Sequence, residues 1–515
     1  ILYWGRIMKK NKIPAIENLI NDETFDLNPE EIRKLGYRFS DMITDYYNSM
    51  RTSPILPSKT LKQLKQLFDE PLPQDETDID SLLSECQEKI INNAVRFGHP
   101  RFLGWIISSG TIIGAYADGL ANALNQNVAL SGSGVATAVE LLVLNWIKKI
   151  LGYNSNAAGV LVSGGSIANL IALAVARNTL GGKSVRQHGL ANKIPLTVYT
   201  SSEAHMCIDK AVDLLGIGTD NIRRIAVDAK FRLDPNELKR KIKQDMQKGL
   251  HPFCVVATAG TVNTGAIDPI EAIKDICKHY NMWFHVDAAY GGFVAISSEY
   301  KALIKGIAQA DSVVVDPHKW LFIPYDAGCV LVKDPKKMKK TFSYPTDYIA
   351  LDKKKKLSND EIDFADYSIE LSRSFRALKI WMSLKQYGIR RYEKIINQNM
   401  KLAEYWQELI KNSQDFQIMA PRVLSVVCFR FNPEKQINKK NENKELYLDK
   451  LNRLIIKSIR ENREFLISGT MLNGRYVLRA CIVNYRTTKQ DVKYIIQALR
   501  EIGRKNDALL RSKGI

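Results

Sequence analysis

The stretch "DSVVVDPHKWLFIP" (Asp311–Pro324) decides how the rest of the chain is read. Val313, Val314 and Val315 read as a short buried strand, and Asp316-Pro317 closes it, because proline has no N–H to continue a ladder. Lys319 therefore stands at a strand end. Followed by the apolar Trp320, Leu321 and Phe322, it is expected to be half desolvated, and desolvation lowers a lysine's pKa and frees its amine as a nucleophile. That is what a lysine forming a Schiff base requires. A surface lysine after a strand fits the same residues, so the surroundings must decide.

Outward from this stretch, short β-rich runs alternate with helical ones: "LTVYT" (196–200), "CVVATAG" (254–260), "MWFHVDAA" (282–289), "SVVVD" (312–316) and "CVLV" (329–332). The alternation predicts a mostly parallel sheet covered by helices on both faces, with ligands bound beyond the carboxyl ends of its strands. This large domain is expected over residues 101–384, between a helical N-terminal segment (1–100) and a smaller C-terminal α/β domain (385–515). In "LNPEEIRKLGYRFSDMITDYYNSM" (27–50), Asn28 is the expected N-cap and Pro29 the first helical residue, with apolar residues at 32, 35, 39, 42 and 46. A Pro-rich connector follows (Pro54, Pro57, Pro71, Pro73), and the segment is too thin to fold alone, so it is expected to pack on another domain or subunit. The C-terminal part carries a polar insertion, "NPEKQINKKNENKE" (432–445), and a strand in "RYVLRACIV" (475–483).

With 515 residues, 45% hydrophobic and 25% charged, the chain is globular and long enough for a large core. No window approaches the run of about 18 apolar residues that a membrane helix needs, and "ILYWGRIMKKNK" has no signal-peptide core. A soluble, cytoplasmic protein is expected, with Met8 a candidate natural start. Seven cysteines, scattered and without a C-x-x-C pair, read as reduced thiols. The net charge of +19 comes from lysines spread along the chain without a nucleic-acid-binding motif, which argues for a solvated surface and against a nucleic-acid partner. The densest runs, "KDPKKMKK" (333–340) and "DKKKK" (352–356), read as an exposed, mobile loop.

Four features fall at strand ends or helix starts of the one sheet. "GVLVSGGSIANLIALAVAR" (159–177) is strand, turn and long helix, in which Gly164 and Gly165 let backbone N–H groups approach an anion and Ser166 adds a donor. "FHVDAAYGG" (284–292) ends an apolar strand on Asp287, a carboxylate that needs a partner there: a ligand cation, a metal or an arginine. "VYTSSEAHMCIDKA" (198–211) brings His205 to a helix start. His318 and Lys319 complete the set. No histidine has metal-ligand spacing, so no metal is expected. An anion cradle, a buried acid, an aromatic ring able to stack and a Schiff-base lysine together are what pyridoxal phosphate (pyridoxal 5'-phosphate) asks of a protein.

In "DPHKW", "HVDAAYGG", "TAGTVNTGAIDP" and "SRSFRALKIW" taken together, the sequence resembles the group II pyridoxal-phosphate-dependent decarboxylases, from about Leu27 to Gln497, and is most similar to the aromatic L-amino acid, tyrosine and tryptophan branch. The resemblance implies fold type I of these enzymes: a mostly parallel seven-stranded sheet between helices, a smaller C-terminal domain and a homodimer. It implies that Lys319 forms the Schiff base, that His318, Gly165 and Ser166 hold the phosphate, that Asp287 keeps the ring nitrogen protonated, and that Ala289 and His205 lie on opposite faces of the ring. By the same resemblance Thr261 offers a hydroxyl near the cofactor or the substrate carboxylate. Ser372, where a glycine is usual, reaches the phosphate of the second subunit. Trp105 (in place of a tyrosine), Ile106 and Ser108 line the substrate pocket. The resemblance also implies that Tyr348, 29 residues after Lys319, is the loop tyrosine that helps protonate Cα. The implied reaction converts an L-amino acid, aromatic by preference, to its amine and carbon dioxide. An aromatic aldehyde synthase typically has phenylalanine at the position of Tyr348. A decarboxylase for glutamate or aspartate and a basic binding protein without activity are the other readings, and Arg479 fits either a carboxylate ligand or a structural role.

Overall fold

The computed structural model of the protein describes residues 24–130, 133–182, 185–191, 193–344, 362–433 and 442–513. These form two compact units, one of residues up to Ser53 together with Ser58–Ala94, the other of Pro54–Pro57 together with Val95 onward. In the first unit the expected helix runs Pro29–Asn48. The Asn28 side chain accepts from the backbone of Glu30 and Glu31, and the Glu31 carboxylate accepts from the Asn28 N–H, a reciprocal cap worth about 1 kcal/mol. Ile32 and Phe39 on this helix are exposed.

The second unit is built on a seven-stranded sheet: β1 (Ala158–Val162), β2 (Leu196–Ser201), β3 (Ile222–Ile225), β4 (His251–Thr258), β5 (Trp283–Asp287), β6 (Ser312–Val315) and β7 (Gly328–Val332). Their order is β1-β7-β6-β5-β4-β2-β3. The pairs from β3 through β6 are parallel, and β7 runs antiparallel to both β6 and β1. Two reversals cancel, so β1 points the same way as β2 to β6 and six carboxyl ends share one edge. The strands are buried almost throughout, as expected for a sheet with helices on both faces.

A buried ion pair ties β1 to the "SRSF" turn. Arg373 and Glu140 both have fully buried side chains, with Nη2 2.5 Å from Oε1. The guanidinium also donates to the Leu161 and Val128 carbonyls, and the Leu161 N–H donates to Glu140. Burial raises the pKa of Glu140 above the ordinary carboxylate range, against the opposing pull of the Arg373 cation and the Leu161 N–H.

The helix Ala377–Lys411 leads out of this region and is broken at Gly388, whose φ of 66° only glycine adopts cheaply. It reaches a four-stranded antiparallel sheet of β8 (Phe416–Ile418), β9 (Val426–Phe431), β10 (Ser468–Leu472) and β11 (Arg475–Cys481), ordered β10-β11-β9-β8. Trp406, Phe429 and Ile495 belong to its own core.

The lysine run at 333–340 is not the expected loop. Pro335–Phe342 is a helix, because Asp334 caps it by accepting from the Lys336 N–H and Pro335 occupies its first turn. Met338 and Thr341 are buried beneath it. The run at 352–356 lies outside the described residues. All seven cysteines are free, six of them buried. No helix among the described residues is long and apolar enough to cross a membrane.

Candidate active site

A cavity of about 310 Å³ opens at the shared carboxyl edge of the sheet. Its wall is assembled from strand ends far apart in sequence: Ser163 to Ser166 after β1, His205 after β2, Thr258 at the end of β4, Asp287 at the end of β5, and Asp316, His318 and Lys319 after β6. Ile106, Asn169, Cys207, Val262 and Ala289 complete much of the rest.

The glycine turn is close-packed from two sides. A Cβ on Gly165 would stand 2.9 Å from Asp316 Oδ2, and one on Gly164 would stand 3.1 Å from the His318 ring. Gly328, the first residue of β7, presses on the same turn, and its Cβ would stand 2.5 Å from Gly164 Cα. The helix Gly165–Leu180 begins here and aims its N-terminal N–H groups at the cavity.

Lys319 does not have the freed amine expected from the sequence. Its Nζ lies 2.9 Å from Asp316 Oδ2. Burial alone would lower its pKa, but Asp316, with Asp287 further off, outweighs burial and pushes the ammonium above its ordinary value. Asp316 Oδ1 is buried without a hydrogen-bond partner. His318 is buried and its Nδ1 accepts from the Ala327 N–H. Burial pulls its pKa down to about 4, so the ring is neutral.

Asp287 is also buried, and burial raises its pKa against the opposing pull of Lys319. Among the described residues no arginine pairs with it. Oδ1 accepts from the Ala289 N–H at 3.1 Å and Oδ2 from the Asn169 amide at 3.2 Å. Opposite, His205 accepts from the Cys207 N–H and leaves its ring open to the cavity.

The structure therefore gathers Lys319, His318, Asp287, Ala289, His205, Gly165, Ser166 and Ile106 around one cavity. Four expected residues stand apart from its wall. Thr261 turns its hydroxyl into its own turn, to Thr264 Oγ1 and the Ala266 N–H. Ser108 is buried and donates to the His318 carbonyl at 2.7 Å, so it supports the wall from behind. Trp105 and Ser372 are exposed. Arg479 donates to the carbonyls of Trp105 and Asn263 and to Ser468, which holds the Trp105 turn in place. Tyr348 lies outside the described residues. The sequence reading passed over Asp316, Asn169 and Thr258, whose buried hydroxyl has no partner. Asp316 was legible as the acid closing β6; Thr258 was legible as the polar end of an apolar run.

A lysine, a carboxylate and an anion cradle sharing one cavity define a site for an aldehyde cofactor bearing a phosphate and a basic ring nitrogen. Comparison with known proteins agrees. Residues 62–432 match the family model described as the pyridoxal-dependent decarboxylase conserved domain. The chain is 35% identical to an aromatic-L-amino-acid decarboxylase of Bacillus atrophaeus over 93% of its own length and 97% of the relative's. It is 31% identical to a phenylacetaldehyde synthase of a Rosa hybrid cultivar, over 92% and 93% of the two chains. The structure of Oryza sativa TDC with PLP and tryptamine superposes with a TM-score of 0.87 at 26% identity, covering 94% of this chain and 99% of that one. The chain belongs to the pyridoxal-dependent decarboxylase family. It is an amino acid decarboxylase that uses pyridoxal phosphate.

Proposed function

We propose that the protein decarboxylates an aromatic L-amino acid to its amine, and that the cavity at the carboxyl edge of the sheet is where it does so. The observation that carries this reading is the meeting of Lys319, Asp287 and the Gly164-Gly165 turn around one cavity. The preference for an uncharged side chain is supported by the wall, in which Lys319 is the one lysine or arginine among the described residues and is already paired with Asp316. An acidic side chain would find no second cation there.

In this reading the turn at Gly164, Gly165 and Ser166, with His318, would hold the phosphate, and Lys319 Nζ would be the amine set beside the aldehyde. Bound pyridoxal phosphate supplies an electron sink for the pair left behind as carbon dioxide departs. Asp287 would hold a proton on the ring nitrogen, and Ala289 and His205 would pack against the ring from either side. Lys319 must first give up a proton to become nucleophilic, and Asp316 is the carboxylate beside it. Ile106 meets the substrate side chain, with Trp105 and Ser108 behind it. Thr261 shapes the turn that follows Thr258. From its sequence position, Tyr348 would be the group that helps protonate Cα. We further propose a cytoplasmic homodimer in which Ser372 faces the second subunit and the exposed Ile32 and Phe39 are covered, with the large and small domains dividing near residue 384.

The test is to incubate the cofactor-loaded protein with each proteinogenic amino acid and to measure carbon dioxide, amine, aldehyde and peroxide. Aromatic substrates should give amine and carbon dioxide in equal amounts, and Asp287→Asn should cut turnover by orders of magnitude while the fold survives. Turnover confined to glutamate or aspartate would refute the aromatic reading. Aldehyde and peroxide in place of amine would make the protein an aldehyde synthase instead.

A further inference from the structure

Behind Asp287 lies a row of buried polar groups that the reaction as described does not use. Trp283, His285 and Asp287 alternate along β5 and therefore share one face of the sheet. Ser312 on β6 is the register partner of His285, and Asn169 lies on the helix that packs over this face. The links are Trp283 Nε1 to Ser312 Oγ at 2.8 Å, Ser312 Oγ to His285 Nδ1 at 2.8 Å, His285 Nε2 to Asn169 Oδ1 at 2.7 Å, and Asn169 Nδ2 to Asp287 Oδ2 at 3.2 Å. All five residues are buried.

The direction of every bond follows from which groups can donate. The Asn169 amide nitrogen faces two acceptors, Asp287 Oδ2 and the Gly165 carbonyl at 2.8 Å, so this end of the amide must be the NH₂ and the other end the carbonyl. A carbonyl only accepts, so His285 carries its proton on Nε2. A neutral imidazole then offers Nδ1 as an acceptor, and Ser312 must donate to it. The serine oxygen is left to accept from the indole N–H of Trp283, which can only donate. Four donors thus point one way, from Trp283 to Asp287. Charged or titratable groups facing Asp287 from other elements are Lys319, Asp316 and His205, and Cys207 Sγ shares the Asn169 amide at 3.4 Å.

We infer that Trp283, Ser312, His285 and Asn169 are positioning residues that deliver a fixed N–H donor to Asp287 Oδ2, so that this carboxylate stays ionised and aimed when it meets the cofactor's ring nitrogen. Burial favours the neutral acid, and a carboxylate in that form could not hold a proton on the ring. The two N–H donors, from Ala289 and Asn169, oppose burial. The inference rests on the assignment of Asp287 to the ring nitrogen, and the test separates the two.

The experiment strips the cofactor and measures the affinity of the wild type and variants for pyridoxal phosphate and for its carba analogue, in which the ring nitrogen is replaced by CH. Tryptophan fluorescence quenching reads both without any turnover. The wild type should prefer pyridoxal phosphate. Ser312→Ala and His285→Leu should each weaken pyridoxal phosphate by about fivefold or more and leave the carba analogue nearly unchanged. His285→Gln, whose amide can donate to Asn169 and accept from Ser312, should keep the wild-type preference. Equal weakening of both ligands, no weakening of either, or a glutamine variant as poor as the leucine one would overturn the donor chain. A wild type that binds the two ligands equally would instead overturn the assignment of Asp287. Should His285→Leu fail to fold, Ser312→Ala removes one oxygen only and decides the matter alone.

Discussion

Replacing His285 by glutamine removes a titration from the core while leaving its hydrogen bonds in place, which makes the variant a direct probe of acid stability. His285 is fully buried, and burial depresses its pKa from the ordinary 6.5 to about 4. Because the folded protein favours the neutral ring, the stability this residue contributes is fully present above pH 6.5 and is lost as the pH falls through about 4. At about 1.4 kcal/mol per pH unit, that window corresponds to about 3 kcal/mol, with no discount for solvent at a fully buried ring. Glutamine has no such window. Urea unfolding of the cofactor-loaded wild type and His285→Gln, followed by tryptophan fluorescence at steps from pH 7.5 to 4, should show the gap between them moving in the variant's favour by about 3 kcal/mol. His318, also held near 4, titrates in both proteins and cancels. A gap constant to within about 0.5 kcal/mol across this range would mean that His285 is either already charged in the fold or not protected from water.

Two further substitutions test how the cavity is held together. Arg373→Met leaves the Glu140 carboxylate buried with only the Leu161 N–H, at an expected cost of about 3–5 kcal/mol in thermal unfolding, and the double variant Glu140→Gln/Arg373→Met should recover at least half of it; a loss below about 1 kcal/mol for the single variant contradicts the pairing. Gly328→Ala places a methyl 2.5 Å from Gly164 Cα, where backbone rather than a flexible side chain must yield, so pyridoxal phosphate should bind about tenfold more weakly to the stripped protein; unchanged affinity would show that the turn gives way freely.

Much of this site is legible along the chain because its chemistry sits where regular elements end. Asp287 and Lys319 follow apolar runs, and several polar groups gathered at the carboxyl ends of one sheet mark a binding edge where each alone would not. The strand stretches read around 196–200, 254–260, 282–289, 312–316 and 329–332 all correspond to strands of the large sheet. The cap at Asn28 is equally local and was read from three residues. What escaped depends on pairings across the sheet. The reversed direction of β7, and the meeting of Gly328 with Gly164, are set by which strands neighbour one another, and no local pattern encodes that. The expected freeing of the Lys319 amine failed for the same reason at shorter range, since burial was weighed and the acid three residues earlier was not. Asn169 looks like one more helix residue until Asp287, 118 positions later, is placed against it. The alternation Trp283, His285, Asp287 was visible, but only the register of β5 with β6 supplies the serine that gives it direction.

The place of β7 in the sheet also dictates an order of assembly. β1, formed early in the chain, touches the rest of the sheet edge-on only through β7, which emerges from the ribosome some 170 residues later. Until Val332 has been synthesised, β1 and the glycine turn behind it have no strand partner, while β2 to β6 can already pair in parallel. The Gly164-Gly165 turn and Lys319 share the edge at which β7 joins β1 to β6. A nascent or truncated chain ending before residue 328 has most of the sheet's strands but leaves an open edge at β6 and no strand to join β1 to it.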